Sequence, residues 1–244
     1  MHGFGKSDVG KVRASNEDAF YVNNEGPAPL ANLFVVADGM GGHNAGDVAS
    51  RKAIFAFCEY IAAHNYFIYT EQYLADALLY ANGHVHDEAC HNPAMAGMGT
   101  TFSTVTTDSD NLYFAHVGDS RIYAITDNGI MQLTRDHSLV AEMAERGMIT
   151  PEEALHHPEK NVITRAVGTD AHVNVDKGFY PLANVKYVLM CSDGLTNMVS
   201  DAEIFDVLKA ENSITNKVDI LIAKANEGGG DDNISVIVMG WDNI

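Results

Sequence analysis

The sequence predicts an α+β domain in which antiparallel sheets are covered by pairs of helices. Short runs rich in β-branched residues follow one another closely, with turn signals such as Asp127-Asn128-Gly129 between them. Longer segments with apolar residues at helical spacing come in two pairs, one early and one late. Strands in hairpin-like succession favour antiparallel pairing over a parallel doubly wound sheet. We therefore expect the early helices to cover one sheet and the late helices the other.

The individual elements follow from the same patterns. Thr150-Pro151-Glu152-Glu153 and Ser200-Asp201-Ala202-Glu203 are capping-box signals that mark two helix starts. Helices are expected at about 45–62, 71–90, 137–147, 150–156, 201–210 and 216–226. Strands are expected from residue 18 and at about 34–37, 99–107, 112–117, 120–126, 130–133, 172–180, 187–191 and 234–238.

Length and charge bound the class of protein. With 244 residues we expect a single domain over 1–244, with an inserted mobile segment at about 147–168 beside the site. The formal net charge of -18 argues against nucleic acid and anionic membrane as partners, since both require a basic face. The three cysteines are odd in number and scattered, as expected of reduced core thiols. No signal core or membrane span is evident, so we expect a soluble cytoplasmic protein, acting as a monomer.

The stretch Phe34-Val35-Val36-Ala37-Asp38-Gly39 is the centre of the functional argument. An apolar strand ends in Asp38, and a buried charge is costly unless a cation meets it. Glycines at 39, 41 and 42 leave room for backbone carbonyls and a ligand beside this carboxylate. Taken alone, the stretch is equally compatible with a metal site and with a tight strand-to-helix turn.

Three further aspartates occupy equivalent places. Asp119 and Asp193 each follow an apolar strand, and Asp232 precedes the last one. If the last strand runs antiparallel to the others, the four acids meet at one edge, where they repel one another unless cations lie among them. Oxygen donors without histidine or cysteine favour magnesium or manganese, and two such ions can hydrolyse a phosphate ester. Since turns also favour aspartate, four unrelated turn residues are the alternative.

The segment before the first helix supplies a candidate phosphate ligand. The planar guanidinium of Arg13 can bind two phosphate oxygens, although a plain surface arginine is the alternative. Glu17 and Asp18 form a further carboxylate pair at the start of a strand.

The ordered set of motifs resembles the metal-dependent protein serine/threonine phosphatases of type 2C, in their bacterial form. The resemblance covers essentially the whole chain. Its motifs are Arg13 with Asn16-Glu17-Asp18, Asp38-Gly39-Met40-Gly41-Gly42-His43, Gly99-Thr100-Thr101, Val117-Gly118-Asp119-Ser120-Arg121, Asp136-His137-Ser138, Ile163-Thr164-Arg165-Ala166-Val167-Gly168, Ser192-Asp193-Gly194-Leu195 and Asp232-Asn233.

The resemblance implies a four-layer α-β-β-α sandwich with Mn²⁺ or Mg²⁺ ions in a cleft at one end. By this likeness Asp38 bridges two tightly bound ions, and the carbonyl oxygen of Gly39 is a further ligand. Asp193 and Asp232 would bind the first ion, and Asp119 with Asp193 would form a third, weaker site.

The resemblance also implies the roles of the remaining residues. Glu17 would hold water on the second ion, Asp18 would support the water network, and Arg13 would bind the substrate phosphate. Where better-known eukaryotic members carry a histidine after the Asp-Gly pair, this chain has Met40. The proton donor is therefore open, with His43 and a water on the third ion as candidates.

The implied activity is hydrolysis of phosphoserine and phosphothreonine in proteins without a covalent intermediate. The substrates would be the products of a cognate serine/threonine kinase, and the segment 147–168 matches the family's variable flap. Two other classes share the acidic edge, namely a nuclease or phosphodiesterase and a catalytically inactive binding module. The charge of -18 disfavours the first, and the filled ligand positions disfavour the second.

Overall fold

Two antiparallel β-sheets lie face to face between two layers of helices. The computed structural model describes residues 1–27, 29–41, 45–64 and 71–241. The helices are α1 (Ala45–Ala63), α2 (Glu71–His91), α3 (Leu139–Glu145), α4 (Pro151–Leu155), α5 (Asp193–Thr196), α6 (Asp201–Lys209) and α7 (Ile214–Gly228), with a 3₁₀ turn at Pro93–Met95. The strands are β1 (His2–Asp8), β2 (Asp18–Asn23), β3 (Leu33–Met40), β4 (Gly99–Thr100), β5 (Phe102–Thr107), β6 (Asn111–Val117), β7 (Arg121–Thr126), β8 (Gly129–Gln132), β9 (Asp176–Pro181), β10 (Val185–Cys191) and β11 (Ile234–Gly240).

The strand order brings distant parts of the chain together. The first sheet has the order β1-β11-β10-β7-β8, and the second has the order β2-β3-β5-β6-β9 with β4 beside β3. Strand β11 pairs antiparallel with both β1 and β10, which meets the condition under which the aspartates share an edge. Its start therefore lies at the same edge as the end of β10.

Apolar packing fills three layers. Helices α1 and α2 pack on the second sheet around residues such as Phe57 and Leu78. Helices α6 and α7 pack on the first sheet around Leu208 and Leu221. Phe34, Ile122 and Met239 belong to the apolar layer shared by the two sheets. The predicted four-layer sandwich is thus confirmed, with the early and late helices on opposite sheets.

Several element predictions need correction. Strand β1 was not predicted, because glycines at 3 and 5 hide its pattern, yet it pairs with β11 along its whole length. The strand expected at 172–180 begins only at Asp176. The helix expected from 137 begins at Leu139, after Ser138 caps it by accepting a hydrogen bond from the Ala141 N–H. The short helix α5 was missed, since four residues carry no periodic signal.

Two expectations about the class of protein can be compared with the structure. No helix in the described part of the chain has the length and apolar character needed to cross a membrane. The cysteines are only partly as expected: Cys191 is buried and Cys58 is half-buried, but Cys90 is exposed. The prediction that all three thiols lie in the core is therefore wrong for Cys90.

Candidate metal centre

Four aspartates from two sheets line one cavity of about 230 Å³. Asp38 lies in β3 of the second sheet, and Asp119 stands two residues after β6 of the same sheet. Asp193 opens α5 after β10, and Asp232 stands two residues before β11, so both belong to the first sheet. The single edge expected from the sequence is in fact the meeting point of two sheet edges.

The backbone around Asp38 is fixed by two threonines. The Asp38 N–H donates to Thr101 Oγ1 at 2.9 Å, and the Asp38 carbonyl accepts from the Thr101 N–H at 2.8 Å and from Thr100 Oγ1 at 2.9 Å. At Gly39, a Cβ would lie 2.1 Å from the carbonyl oxygen of Gly46 in α1, so only glycine fits. The sequence alone did not assign a role to Thr100 and Thr101, although both belong to the motif Gly99-Thr100-Thr101.

Asp119 is oriented by the glycine before it. Gly118 has a φ of +112°, and a Cβ there would lie 2.5 Å from Thr101 Cβ. Its N–H donates to Nδ1 of His137 at 3.0 Å, so the proton of this neutral imidazole is assigned to Nε2, which lies 3.1 Å from Asp176 Oδ2. Buried His137 therefore anchors the turn that presents Asp119 to the cavity.

The cavity has an unfavourable concentration of negative charge. Burial, followed by repulsion from Asp18 and Asp193, raises the pKa of Asp38 well above its ordinary value. Burial and then Asp193 raise the pKa of Asp119 to about 8. Burial and the Asp232 charge raise the pKa of Asp193, whose carboxyl group is also close enough to hydrogen-bond that of Asp38. A cation between these groups would relieve the repulsion.

The structure brings Arg13 and Glu17 to the same cavity. Nη2 of Arg13 lies 2.8 Å from Asp232 Oδ2, while the side chain remains 53% exposed. The pKa of Glu17 is raised above its ordinary value, because the effect of burial outweighs the opposite effect of the Arg13 charge. Both side chains therefore line the same cavity as the four aspartates.

Asp18 lies behind the cavity. It is buried, faces Asp38 across the β2–β3 ladder and accepts a hydrogen bond from Ser192 Oγ at 2.8 Å. Burial raises the pKa of Asp18 to about 7, although hydrogen bonds from Ser235 and Ser192 act in the opposite direction. Asp18 thus adds a further buried carboxylate beside Asp38, and it is not among the described residues that line the cavity.

The donor set fits hard divalent cations. The cavity offers aspartate and glutamate oxygens and the backbone at Gly39, which magnesium and manganese prefer. Oδ1 of Asp18 and Oδ1 of Asp193 are buried, and neither accepts a hydrogen bond within the described ranges. Unsatisfied buried carboxylate oxygens are costly, and a cation in the cavity would satisfy Oδ1 of Asp193.

The side chains do not stand in a finished coordination shell. Among the described residues, no group of three or more acidic, histidine or cysteine side chains is placed to hold an ion as it stands. Asp232 is turned toward Arg13, and Asp193 Oδ2 accepts from Asn197 Nδ2 at 2.9 Å. Ion binding would therefore require these carboxylates to exchange such partners for the cation.

Comparison with known proteins decides the family. The model of the family described as protein phosphatase 2C matches residues 10–221 of the chain, which span every residue that lines the cavity except Asp232 and Asn233. The chain belongs to the protein phosphatase 2C family. The resemblance to the type 2C serine/threonine phosphatases and the enzyme class predicted from it are thereby confirmed.

Relatives match over nearly the full length. The serine/threonine phosphatase Stp of Listeria welshimeri is 39% identical over 243 residues, covering 98% of this chain and 95% of the relative. The crystal structure of the serine/threonine phosphatase Stp1 from Staphylococcus aureus superposes with a TM-score of 0.92 at 35% identity, covering 99% and 95% of the two chains. The catalytic domain of PstP, solved in complex with two manganese ions, gives a TM-score of 0.84 at 33% identity, with coverages of 97% and 96%.

In this type 2C phosphatase, Asn233 fastens the segment that carries Arg13 and Glu17. Its Oδ1 accepts from the Glu17 N–H at 2.8 Å, and its Nδ2 donates to the carbonyls of Val9 and Ser15 at 2.9 and 3.0 Å. The sequence motif contains Asn233, but its role in fixing a segment more than 200 residues away could not be derived without the fold.

The segment 147–168 contributes to the cavity wall, since Asn161 and Ile163 line the cavity together with Met40. A methionine offers no proton, so Met40 does not supply a general acid. His43, one of the two proton-donor candidates named from the sequence, lies outside the described residues. The mobility expected of the segment 147–168 stays a prediction.

The cysteines of the phosphatase do not form a nucleophilic centre. Burial raises the pKa of Cys191 to about 12 and that of Cys58 to about 11, so both thiols are protonated at neutral pH. None of the three cysteines is among the residues that line the acidic cavity. This agrees with a mechanism that needs no cysteine.

Proposed function

We propose that this phosphatase hydrolyses phosphoserine and phosphothreonine in proteins at a centre of two manganese or magnesium ions, by direct attack of water. The observation that carries the proposal is the convergence of four aspartates from two sheets on one cavity, where Oδ1 of Asp193 is buried and accepts no hydrogen bond from the described residues. The relatives named serine/threonine phosphatases, and the related structure holding two manganese ions, support it.

The residues that would hold the ions are Asp38, the carbonyl of Gly39, Asp193 and Asp232, with Asp119 at a weaker third site. Glu17 would act through water, and Asp18 would hold the water network. When bound, the ions supply Lewis acidity toward the phosphoryl oxygens and activate water for attack. The protein's own contribution is rigid placement, since Thr100 and Thr101 fix the backbone at Asp38.

Arg13 is the cationic side chain that this cavity offers a phosphoryl group in the described part of the chain. Its guanidinium is half-exposed and bonded to Asp232. If the planar guanidinium of Arg13 exchanged the Asp232 carboxylate for two phosphoryl oxygens, it would orient the substrate and neutralise charge during phosphoryl transfer.

The direct test is release of inorganic phosphate from a phosphoserine peptide and from a small aryl phosphate, with manganese or with chelator. We expect turnover with manganese, loss with chelator and recovery when manganese is restored. A binding module would retain affinity for the phosphopeptide without releasing phosphate. Absence of turnover on both substrates at any manganese concentration would refute the proposed function.

Replacing Arg13 by alanine is expected to raise KM for phosphopeptides and to lower kcat. Lysine should restore activity only partly, because it lacks the planar fork. Manganese affinity should not fall, since Arg13 supplies no oxygen ligand. Steady-state kinetics with calorimetric manganese titration check this. The matched control is Arg146→Ala, which removes another exposed arginine that pairs with a carboxylate, Glu142, away from the cavity. Unaltered KM and kcat in Arg13→Ala would mark Arg13 as a plain surface arginine.

The wider setting is part of the same proposal. The phosphoprotein substrates would be products of a cognate serine/threonine kinase, and the phosphatase would act on them in the cytoplasm as a monomer. A comparison of phosphorylated sites in cells with and without the protein would identify them.

A further inference from the structure

A second and larger cavity adjoins the candidate metal centre. It measures about 620 Å³, against about 230 Å³ for the metal cavity. Asp119 and Asp193 line both cavities and therefore stand on their common boundary. We call the larger cavity the side groove. A molecule bound at the metal centre can extend past these two aspartates into it.

Each wall of the side groove carries apolar side chains. Helices α3 and α4 supply one wall, with Val140 and Ala144 from the first helix and Ala154 and Leu155 from the second. The chain that follows α5 supplies the facing wall, with Met198 and Val199. Val140 and Val199 are almost wholly buried, whereas Leu155 is 64% exposed. An exposed leucine at the mouth of an apolar groove is typical of a recognition surface.

Most polar side chains of the side groove are already engaged within the protein. Arg121 donates to both carboxylate oxygens of Asp136. Ser138 Oγ caps α3, and Ser200 and Glu203 form the capping box of α6. These groups are therefore poorly available to a ligand, which leaves the apolar side chains, together with His156 and Lys160, as the groups that a ligand can contact.

We propose that the side groove binds an apolar side chain of the phosphoprotein, close in sequence to the phosphorylated residue. This inference rests on the proposed function and adds a substrate preference to it. The occupant follows from continuity, because a peptide with its phosphate among the aspartates runs on past Asp119 and Asp193. Val140, Ala144, Leu155 and Val199 would then determine which phosphorylated sites are preferred.

The test uses phosphoserine peptides in which one leucine is moved through the positions on either side of the phosphoserine, in a glycine–serine background. We expect leucine at one position to raise kcat/KM by roughly tenfold over the all-glycine–serine peptide, as filling an apolar pocket does. A small aryl phosphate is assayed in parallel. It reports on the metal centre without reaching into the side groove.

Two variants locate the preference. Leu155→Ser removes an exposed wall residue, and Ala144→Phe fills the groove. Each should reduce the ratio of kcat/KM between the leucine peptide and the background peptide to about twofold or less. The ratio cancels any loss common to both peptides. The matched control is Met148→Ser, which removes another flap side chain, 65% exposed and outside both cavities, and should keep the wild-type ratio.

The outcomes separate this inference from the proposed function. Turnover of the aryl phosphate with no leucine preference at any position would overturn the inference and leave the proposed function standing. A preference that survives both Leu155→Ser and Ala144→Phe would place the apolar subsite elsewhere and also overturn it. Absence of turnover on every substrate would instead remove the proposed function itself.

Discussion

Replacing Asp38 by asparagine is expected to abolish phosphatase activity while leaving a cooperatively folded protein, and Asp193→Asn should do the same. Asparagine keeps the size and the hydrogen-bonding shape of each side chain but removes the charge that holds the cations. Phosphate release at saturating manganese, with circular dichroism as the folding check, measures the effect. Either variant retaining more than about a tenth of wild-type turnover, a barrier change of only ~1.4 kcal/mol, would refute the assignment.

The same Asp38→Asn variant has a second expected effect, which does not depend on activity. A carboxyl group whose pKa is raised in the folded state opposes folding once pH exceeds its unfolded value, because its ionised form is disfavoured there. In chelator near pH 8 the variant should therefore unfold at a higher temperature than the wild type. Added manganese should stabilise the wild type and have little effect on the variant. The matched control is Asp127→Asn, at an acid that is 81% exposed, which should change neither property.

Replacing Asp119 by alanine is expected to keep two tightly bound ions while removing most activity, especially on phosphopeptides. Asp119 and Asp193 lie on the boundary between the metal cavity and the side groove. An ion held there by fewer protein oxygens would be bound more weakly. Because Met40 supplies no proton, a water at this third site is the donor we expect for the leaving oxygen. Calorimetric counting of manganese sites, together with phosphopeptide kinetics, measures both effects.

Two results would change this account of Asp119. Loss of a tight manganese site in Asp119→Ala would assign the residue to the principal pair of ions. Retention of both metal and activity would eliminate the third site, and His43 would become the leading candidate for the proton donor.

Much of the fold could be predicted because its signals are local. The apolar run before Asp38 is a strand as predicted, although β3 continues past the expected end to Met40. The two capping boxes mark the starts of α4 and α6 where the structure has them. By contrast, β1 is a strand because β11 pairs with it, and its own glycine-containing sequence gives no sign of this. Long-range pairing of this kind has no local signature.

The candidate site was predictable as a set of residue types but not as a set of contacts. Each aspartate follows or precedes a run of apolar residues, and this pattern is visible in the sequence. That the four come from two different sheets is a property of strand order alone. The roles of Thr101, His137 and Asn233 depend on backbone groups of distant segments, and only the folded chain shows them. The exposure of Cys90 likewise depends on which face of α2 meets the sheet.

The central claim is that the cavity between the two sheet edges holds the catalytic ions. Anomalous diffraction at the manganese absorption edge, on crystals of the wild type and of Asp38→Asn, tests it most directly. The account predicts two strong peaks among Asp38, Asp193 and Asp232 in the wild type, a weaker third peak beside Asp119, and loss of the strong pair in the variant. Strong peaks away from these aspartates, or none at saturating manganese, would contradict it.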